Sequence, residues 1–204
     1  MAKKRNGRRK KKDFNLLREY KESWNYIKES KKFIYSATGI FFLFLLIGFF
    51  IPTPQFLYDE IVKFIRELMT KTQDMSQLDM VGFIISNNVQ TTFLNIIFGA
   101  FFGIFPLIDA VANGYMLGFV SSISVNNSGL LSLWKILPHG IFELPAVFIS
   151  FGLGLKTGMF IFHKDKIKTL KNYFVSSLKV FLLIIIPLLI IAGIIEGTLI
   201  FLLK

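Results

Sequence analysis

Five predominantly apolar runs divide this chain of 204 residues, and each is long enough to cross a lipid bilayer, which takes about 20 helical residues. An α-helix satisfies its own backbone hydrogen bonds in lipid, so such runs are expected to fold as transmembrane helices. The runs cover approximately residues 33–51, 81–105, 107–125, 138–162 and 178–203. The sequence therefore predicts an all-α protein, a polytopic transmembrane helical bundle of five spans.

The positive charge is concentrated in one N-terminal tail. The net charge is +11, and residues 1–32 contain 13 Lys or Arg against four Asp or Glu. We expect this tail to be attracted to anionic lipid headgroups rather than to nucleic acid, because the rest of the chain is nearly neutral. The lack of cysteine excludes disulfides, thiolate metal sites and cysteine nucleophiles.

Charges in the short loops predict the orientation, because loops rich in Lys and Arg stay on the cytoplasmic side. Residues 163–172 contain four lysines, whereas in residues 52–80 five acidic residues outnumber three basic ones. The sequence thus predicts a cytoplasmic N-terminus and an external C-terminus in the cell membrane. Residues 56–71 repeat apolar residues at helical spacing, which predicts an external amphipathic helix that covers the bundle or binds a partner.

Pairs of glycine four residues apart recur in four of the predicted spans. Small residues at this spacing lie on one helix face and allow backbones to approach closely in lipid. We expect these faces to pack helices within the chain, with a homodimer contact as the alternative. The pairs are Gly99 with Gly103, Gly114 with Gly118, Gly154 with Gly158, and Gly193 with Gly197.

Four polar residues map to the external half of the bundle: Asn88, His139, Glu143 and Glu196. His139 and Glu143 are one helical turn apart, about 6 Å along the axis. An ionisable group deep in a membrane costs roughly 2.5–3.5 kcal/mol on insertion scales, so such groups normally face the protein interior and have partners. These residues are therefore predicted to form a buried hydrogen-bonded network.

The second span carries a polar stripe at helical spacing. Asn88, Thr92, Asn95 and Gly99 recur on one face, and we expect that face to look inward, where Asn and Thr can bond across helices.

Three kinds of chemistry are compatible with the outer residues. A metal-dependent hydrolase would use His139 with Glu143 and Glu196, but only one imidazole is offered there, because His163 falls at the opposite membrane face. A transporter or proton-conducting protein would use the two glutamates as a relay. The favoured interpretation is a satisfied polar network that fixes helix register, with no metal, no cofactor and no catalysis.

Residues 137–146, Leu-Pro-His-Gly-Ile-Phe-Glu-Leu-Pro-Ala, closely resemble the hallmark segment of the stage II sporulation protein M family of integral membrane proteins. The resemblance covers about residues 35–203 and supports five spans. It extends to Asn87 and Asn88, to Asn113, Gly114 and Gly118, and to Ala192 and Glu196.

The resemblance also implies a role. In spore-forming bacteria the family's namesake belongs to a complex with a peptidoglycan-cutting enzyme and another membrane protein, and it behaves as a scaffold during septal wall thinning and engulfment. For this chain it implies a noncatalytic organiser of membrane or wall-remodelling proteins. Asn113 is expected to be a helix-packing position near the inner half.

Overall fold

A computed structural model describes residues 15–135 and 137–202, with the side chains of residues 134–142 excepted. In these ranges the chain forms eight α-helices and no strand. The helices are α1 (Leu16–Glu29), α2 (Lys31–Phe50), α3 (Gln55–Thr72), α4 (Gln77–Phe98), α5 (Ile104–Ser128), α6 (Leu137–Gly158), α7 (Lys166–Val180) and α8 (Ile186–Leu202). Short 3-10 turns, Leu130–Lys135 and Met159–Phe162, flank α6.

Five helical segments are long and apolar enough to cross a membrane, in agreement with the predicted number of spans. The last is a continuous segment of 37 residues, Lys166–Leu202, in which a π-helical turn (Phe181–Ile185) joins α7 to α8. Pro187 accounts for this turn, because it has no N–H to offer the carbonyl of Leu183. Most of the predicted loop at residues 163–172 is therefore helical.

The second span was predicted to extend to residue 105, but it ends earlier, at a turn between α4 and α5. Helix α4 ends at Phe98, and a turn follows in which Phe102 and Gly103 have positive φ angles of 58° and 71°. Gly103 adopts this left-handed conformation at little cost. Gly99 and Gly103, expected as a pair on one helix face, instead cap the end of α4 and the start of α5.

Glycines of the other helices lie against neighbouring backbones. A Cβ atom added to Gly114 or Gly118 of α5 would overlap carbonyl oxygens of α2, and one added to Gly154 would overlap the carbonyl oxygen of Asn95. Gly158 lies against Gly103 in the same way. On α8, Gly193 and Gly197 face Ile85 and Val81 of α4. Helices α2 with α5, and α4 with α8, are therefore closely packed pairs joined by α6.

Helix α1 lies within the predicted basic tail. Its first turn is capped by Asn15, whose side-chain oxygen accepts a hydrogen bond from the Arg18 backbone N–H at 3.2 Å. The Lys179 ammonium of α7 forms ion pairs with the carboxylates of Glu19 and Glu22. The hydrogen bond from Lys179 holds the pKa of Glu19 below its ordinary value. The tail is thus folded against the bundle from residue 16, whereas its most basic part, residues 1–12, lies outside the described residues.

Helix α3 (Gln55–Thr72) contains the amphipathic segment predicted at residues 56–71. It is attached to the bundle by a narrow strip: Ile61 is buried, and the Tyr58 ring meets the edge of Phe119 at a centroid distance of 5.5 Å. Several apolar side chains remain exposed, among them Phe56, Phe64 and Met69. Helix α3 therefore leaves much of its apolar surface uncovered by the chain.

Candidate functional site

The predicted outer network falls on three helices that pack together. Asn88 lies on α4, His139 and Glu143 lie on α6, and Glu196 lies on α8. Residues of these helices share one apolar core. Asn88, Glu143 and Glu196 are half-buried, whereas the His139 side chain lies outside the described residues. Asn88 Oδ1 accepts a hydrogen bond from Asn87 Nδ2 at 3.4 Å, and a network that joins the four residues stays a prediction.

The metal-binding alternative concerns the same residues. Among the side chains that the structure describes, no group of three or more His, Asp or Glu is arranged to hold a metal ion. The His139 side chain lies outside that part of the structure, so the alternative centred on His139, Glu143 and Glu196 also stays a prediction.

The polar stripe of α4 faces inward near the C-terminal end of that helix. Thr92 and Asn95 are fully buried, which confirms the expectation for these two residues. Thr92 satisfies its hydroxyl within α4 by donating to the Asn88 carbonyl oxygen at 2.7 Å. Asn95 bonds across helices, and its partner is a residue that the sequence analysis did not single out.

That partner is Asp109, a half-buried carboxylate inside the third span. Its Oδ2 accepts a hydrogen bond from Asn95 Nδ2 at 2.7 Å, and its Oδ1 accepts one from Asn113 Nδ2 at 2.7 Å. Asn113, expected to be a helix-packing position, is exposed and bonds within α5 instead. The two amides each bond one carboxyl oxygen of Asp109 inside the membrane-length segment and tie the end of α4 to α5.

Lys156 is a second ionisable residue that sequence reasoning missed. Only 7% of its surface is exposed, although it lies in a membrane-length segment. Its Nζ atom is 3.8 Å from the centroid of the Tyr26 ring and 3.0 Å from Ser30 Oγ. The Glu29 carboxylate lies 3.9 Å from the same atom. The ammonium is thus covered by α1 rather than by water.

Aromatic rings complete this second site. The Tyr173 ring centroid of α7 is 5.4 Å from Lys156 Nζ, and the Tyr26 and Tyr173 centroids are 6.5 Å apart. A cation over an aromatic face gains most when it is removed from water. Burial raises the pKa of the Tyr26 phenol, so this ring remains neutral beside the ammonium. Lys156 therefore joins α1, α6 and α7.

Sequence signals existed for both missed residues. Asp109 is the one acidic residue of its predicted span and precedes Asn113 by one helical turn. Lys156 stands near the C-terminal end of its membrane-length segment, where a lysine ordinarily extends to the membrane surface. Its burial depends on α1, which was not predicted as a helix.

Comparison with known proteins agrees with the sequence resemblance. The model of the family described as stage II sporulation protein M matches residues 37–199. The uncharacterized protein MJ0706 of Methanocaldococcus jannaschii is 31% identical over 176 residues, which cover 83% of this chain and 78% of that protein.

A second similar protein comes from the same organism. The uncharacterized protein MJ0793 is 40% identical over 75 residues, which cover 36% of this chain and 42% of that protein. No solved structure matches the chain significantly. Since the family match spans most of the sequence and includes all five membrane-length segments at least in part, this chain belongs to the stage II sporulation protein M family.

Proposed function

We propose that this chain is a noncatalytic multi-pass membrane protein that organises the partners of a membrane-associated complex. The observation that carries the proposal is the placement of α3. This amphipathic helix touches the bundle through Ile61 and Tyr58 but leaves Phe64 and Leu68, which lie one turn apart on its apolar face, exposed. A helix that served only as a cover would bury more of its apolar face, whereas a partner-binding helix keeps that face available.

Close packing of the spans supports a scaffold. The backbones of Gly99 and Gly154 are in contact, and so are those of Gly103 and Gly158. Helices that approach this closely at several points hold one another in a defined register. Such a frame would present α1 and α3 in fixed positions.

Family membership supports a role in a multiprotein complex. The resemblance implies a scaffold that, in sporulating bacteria, works with wall-remodelling proteins at the septum. For this chain we propose the same class of role, in which any catalytic activity belongs to a partner.

The proposed orientation places the N-terminus in the cytoplasm and the C-terminus outside. Helix α1 supports it by exposing Leu17, Tyr20 and Trp24 on one side, with Lys21 and Lys28 beside them. Apolar and aromatic residues flanked by lysines are typical of helices that lie on anionic lipid. A cysteine introduced at Leu130 should react with an impermeant reagent from outside only. Labelling of that position only from the cytoplasmic side would reverse the topology.

Blue native electrophoresis of membranes solubilised in mild detergent tests the scaffold. We expect the wild-type chain to migrate in an assembly larger than the purified protein. Replacing Phe64 and Leu68 together by Ser should release the chain from it, because the apolar contact is lost. A matched variant on the polar face of α3, with Lys63 and Glu67 replaced by Ser, should stay assembled.

Two results of this experiment contradict the proposal. One is an assembly that survives the substitution of Phe64 and Leu68 while circular dichroism shows unchanged helix content. The other is a wild-type chain that migrates in native membranes as it does when purified.

Ion or proton transport is the alternative function. The placement of Glu143 and Glu196 in membrane-length segments of adjoining helices favours it. In reconstituted vesicles, a scaffold should give no flux that depends on Glu143 or Glu196. Flux that is lost in Glu143→Gln, with an unchanged helix content, would establish transport instead.

A further inference from the structure

Asn95 carries one buried polar atom that the described part of the chain leaves unsatisfied. The residue is fully buried, and its Nδ2 atom donates a hydrogen bond to Asp109 Oδ2 at 2.7 Å. Its Oδ1 atom is also buried and accepts no hydrogen bond from any described residue. A buried acceptor in this state costs about 1–3 kcal/mol, so such an atom normally has a partner. The carboxamide that holds the Asp109 carboxyl group therefore requires one more partner.

The cluster around Asp109 has more acceptors than donors. Asn113 Nδ2 already donates to Asp109 Oδ1 at 2.7 Å and to the Asp109 carbonyl oxygen at 2.9 Å. The two carboxyl oxygens and the two carboxamide oxygens are all acceptors. Turning the Asn95 carboxamide over would not correct the imbalance, because it would place an oxygen instead of an N–H against Asp109 Oδ2. What the cluster requires is a positive group.

The described residues supply no cationic side chain to this cluster. Their ion pairs connect Arg18, Lys156 and Lys179 with glutamates of α1 and do not include Asp109. Asp109 lies in the membrane-length segment Ile104–Ser128, where an ionised carboxylate requires a partner of opposite charge. A single carboxylate balances one positive charge, whereas divalent cations are usually held by several carboxylates. The composition of the cluster therefore favours a monovalent ion.

We propose that Asp109, Asn95 and Asn113 bind an alkali-metal cation, such as Na⁺, where α4 meets α5. Carboxylate and carboxamide oxygens are the ligands that hard cations prefer. Asn95 stands in the last turn of α4, where the helix dipole places partial negative charge that attracts a cation. The C-terminal ends of interrupted membrane helices are used in this way to hold Na⁺. With the ion bound, the group of three side chains is neutral.

The position of the cluster gives an ion a route of entry. Asn113 is exposed and Asp109 is half-buried, whereas Asn95 closes the inner side. Helix α5 begins at Ile104, so Asp109 lies about 7–8 Å from that end of the helix at 1.5 Å per residue. An ion can therefore reach the carboxylate from one end of the bundle without crossing the membrane. Bound there, it would fasten the end of α4 to the start of α5.

Binding of radioactive Na⁺ to the purified full-length chain in detergent tests the site directly, with choline chloride keeping the ionic strength constant. We expect the wild type to bind a single Na⁺ per chain in a saturable manner. Asp109→Asn keeps the shape of the side chain but removes its charge, and it should abolish saturable binding. Asp74→Asn is the matched control, because it makes the same change at an exposed carboxylate between α3 and α4. This control should bind Na⁺ like the wild type.

The Asn95 oxygen has its own test. Removing even an outer partner of a metal ligand typically weakens metal binding about 10-fold to 100-fold. Asn95→Leu should therefore weaken Na⁺ binding by at least this factor. Equal affinities of Asn95→Leu and the wild type would contradict the role of the buried Oδ1 atom and overturn the site as proposed.

A second measurement does not depend on a variant that folds. An ion that binds only the folded chain raises its Tm, and the rise grows with ion concentration. Differential scanning fluorimetry of the wild type should show a higher Tm in NaCl than in choline chloride at the same concentration. A wild type that binds neither Na⁺ nor K⁺ and shows equal Tm values would overturn the proposal, since Asn95 Oδ1 would then bond only water. Saturable binding that is undiminished in Asp109→Asn would place the ion elsewhere and refute it as well.

Discussion

Replacing Tyr26 by Leu would show how much the buried ammonium of Lys156 contributes to holding α1 on the bundle. Leucine keeps an apolar side chain at this position but removes the ring whose centroid lies 3.8 Å from Lys156 Nζ. A cation–π contact is worth from about 1 kcal/mol at an exposed site to about 2 kcal/mol when it is desolvated. The smaller side chain adds roughly 1–2 kcal/mol of lost packing. We therefore expect the free energy for detachment of α1 to fall by about 2–4 kcal/mol.

Hydrogen exchange measured by mass spectrometry in lipid nanodiscs is suited to this prediction. A fall of this size should accelerate exchange of the α1 amides by about 30-fold to several hundred-fold, since each 1.4 kcal/mol is a factor of ten. Exchange in α4 and α5 should not change. The control is Tyr35→Leu, which removes an exposed tyrosine of α2.

A double-mutant cycle with Lys156→Met isolates the cation–π contact. If the ring and the ammonium interact as the distance indicates, the two substitutions should be non-additive by about 0.5–2 kcal/mol. An additive cycle would refute the reasoning. So would α1 exchange that stays within threefold of the wild type in Tyr26→Leu.

Three further predictions concern packing, charge and pH. Gly114→Val should lower Tm by about 4–10 °C, because the added side chain overlaps a backbone carbonyl of α2. Gly39→Val adds the same side chain in open space and should change Tm little. Differential scanning fluorimetry measures both Tm values. Asn95→Leu removes one of the two amide donors to the intramembrane carboxylate, so chemical unfolding should show a loss of about 1.5–3 kcal/mol. The bond with Lys179 that lowers the pKa of Glu19 stabilises α1 above the ordinary glutamate pKa of about 4.3, and this stabilisation should be lost as the pH falls through the pKa of the folded state. Trp24 fluorescence should report the release of α1. The variant Glu19→Gln should remove the pH dependence.

The five membrane-length helices were predictable because length and polarity alone decide whether a segment can remain in lipid. The turn at residues 99–103 was not, since it is formed entirely by apolar residues and glycine. Composition indicates whether a segment prefers lipid or water. It does not indicate where the backbone changes direction within the lipid. The turn depends on two positive φ angles, at Phe102 and Gly103, which polarity does not encode.

Lys156 and Asp109 show a second limit of sequence reasoning. Both side chains depend on partners far along the chain or on a neighbouring helix: Lys156 on Tyr26 and Ser30, and Asp109 on Asn95. A hydropathy pattern gives the cost of burying such groups but does not identify what compensates that cost. The outer polar residues were easier to notice, because His139 and Glu143 stand one turn apart in a recognisable motif.

The π-helical turn at Phe181–Ile185 sets the rotational phase between the two parts of the longest helix. One residue of an α-helix advances the chain by about 100°, so an inserted residue redirects every side chain beyond it. Before the turn Lys179 points to α1, and after it Gly193 and Gly197 point to α4. A chain that lacked one residue of this turn would keep nearly the same hydropathy and the same family motif. It would nevertheless orient only one of these two faces toward its partner helix. The turn therefore allows one continuous helix to contact both α1 and α4.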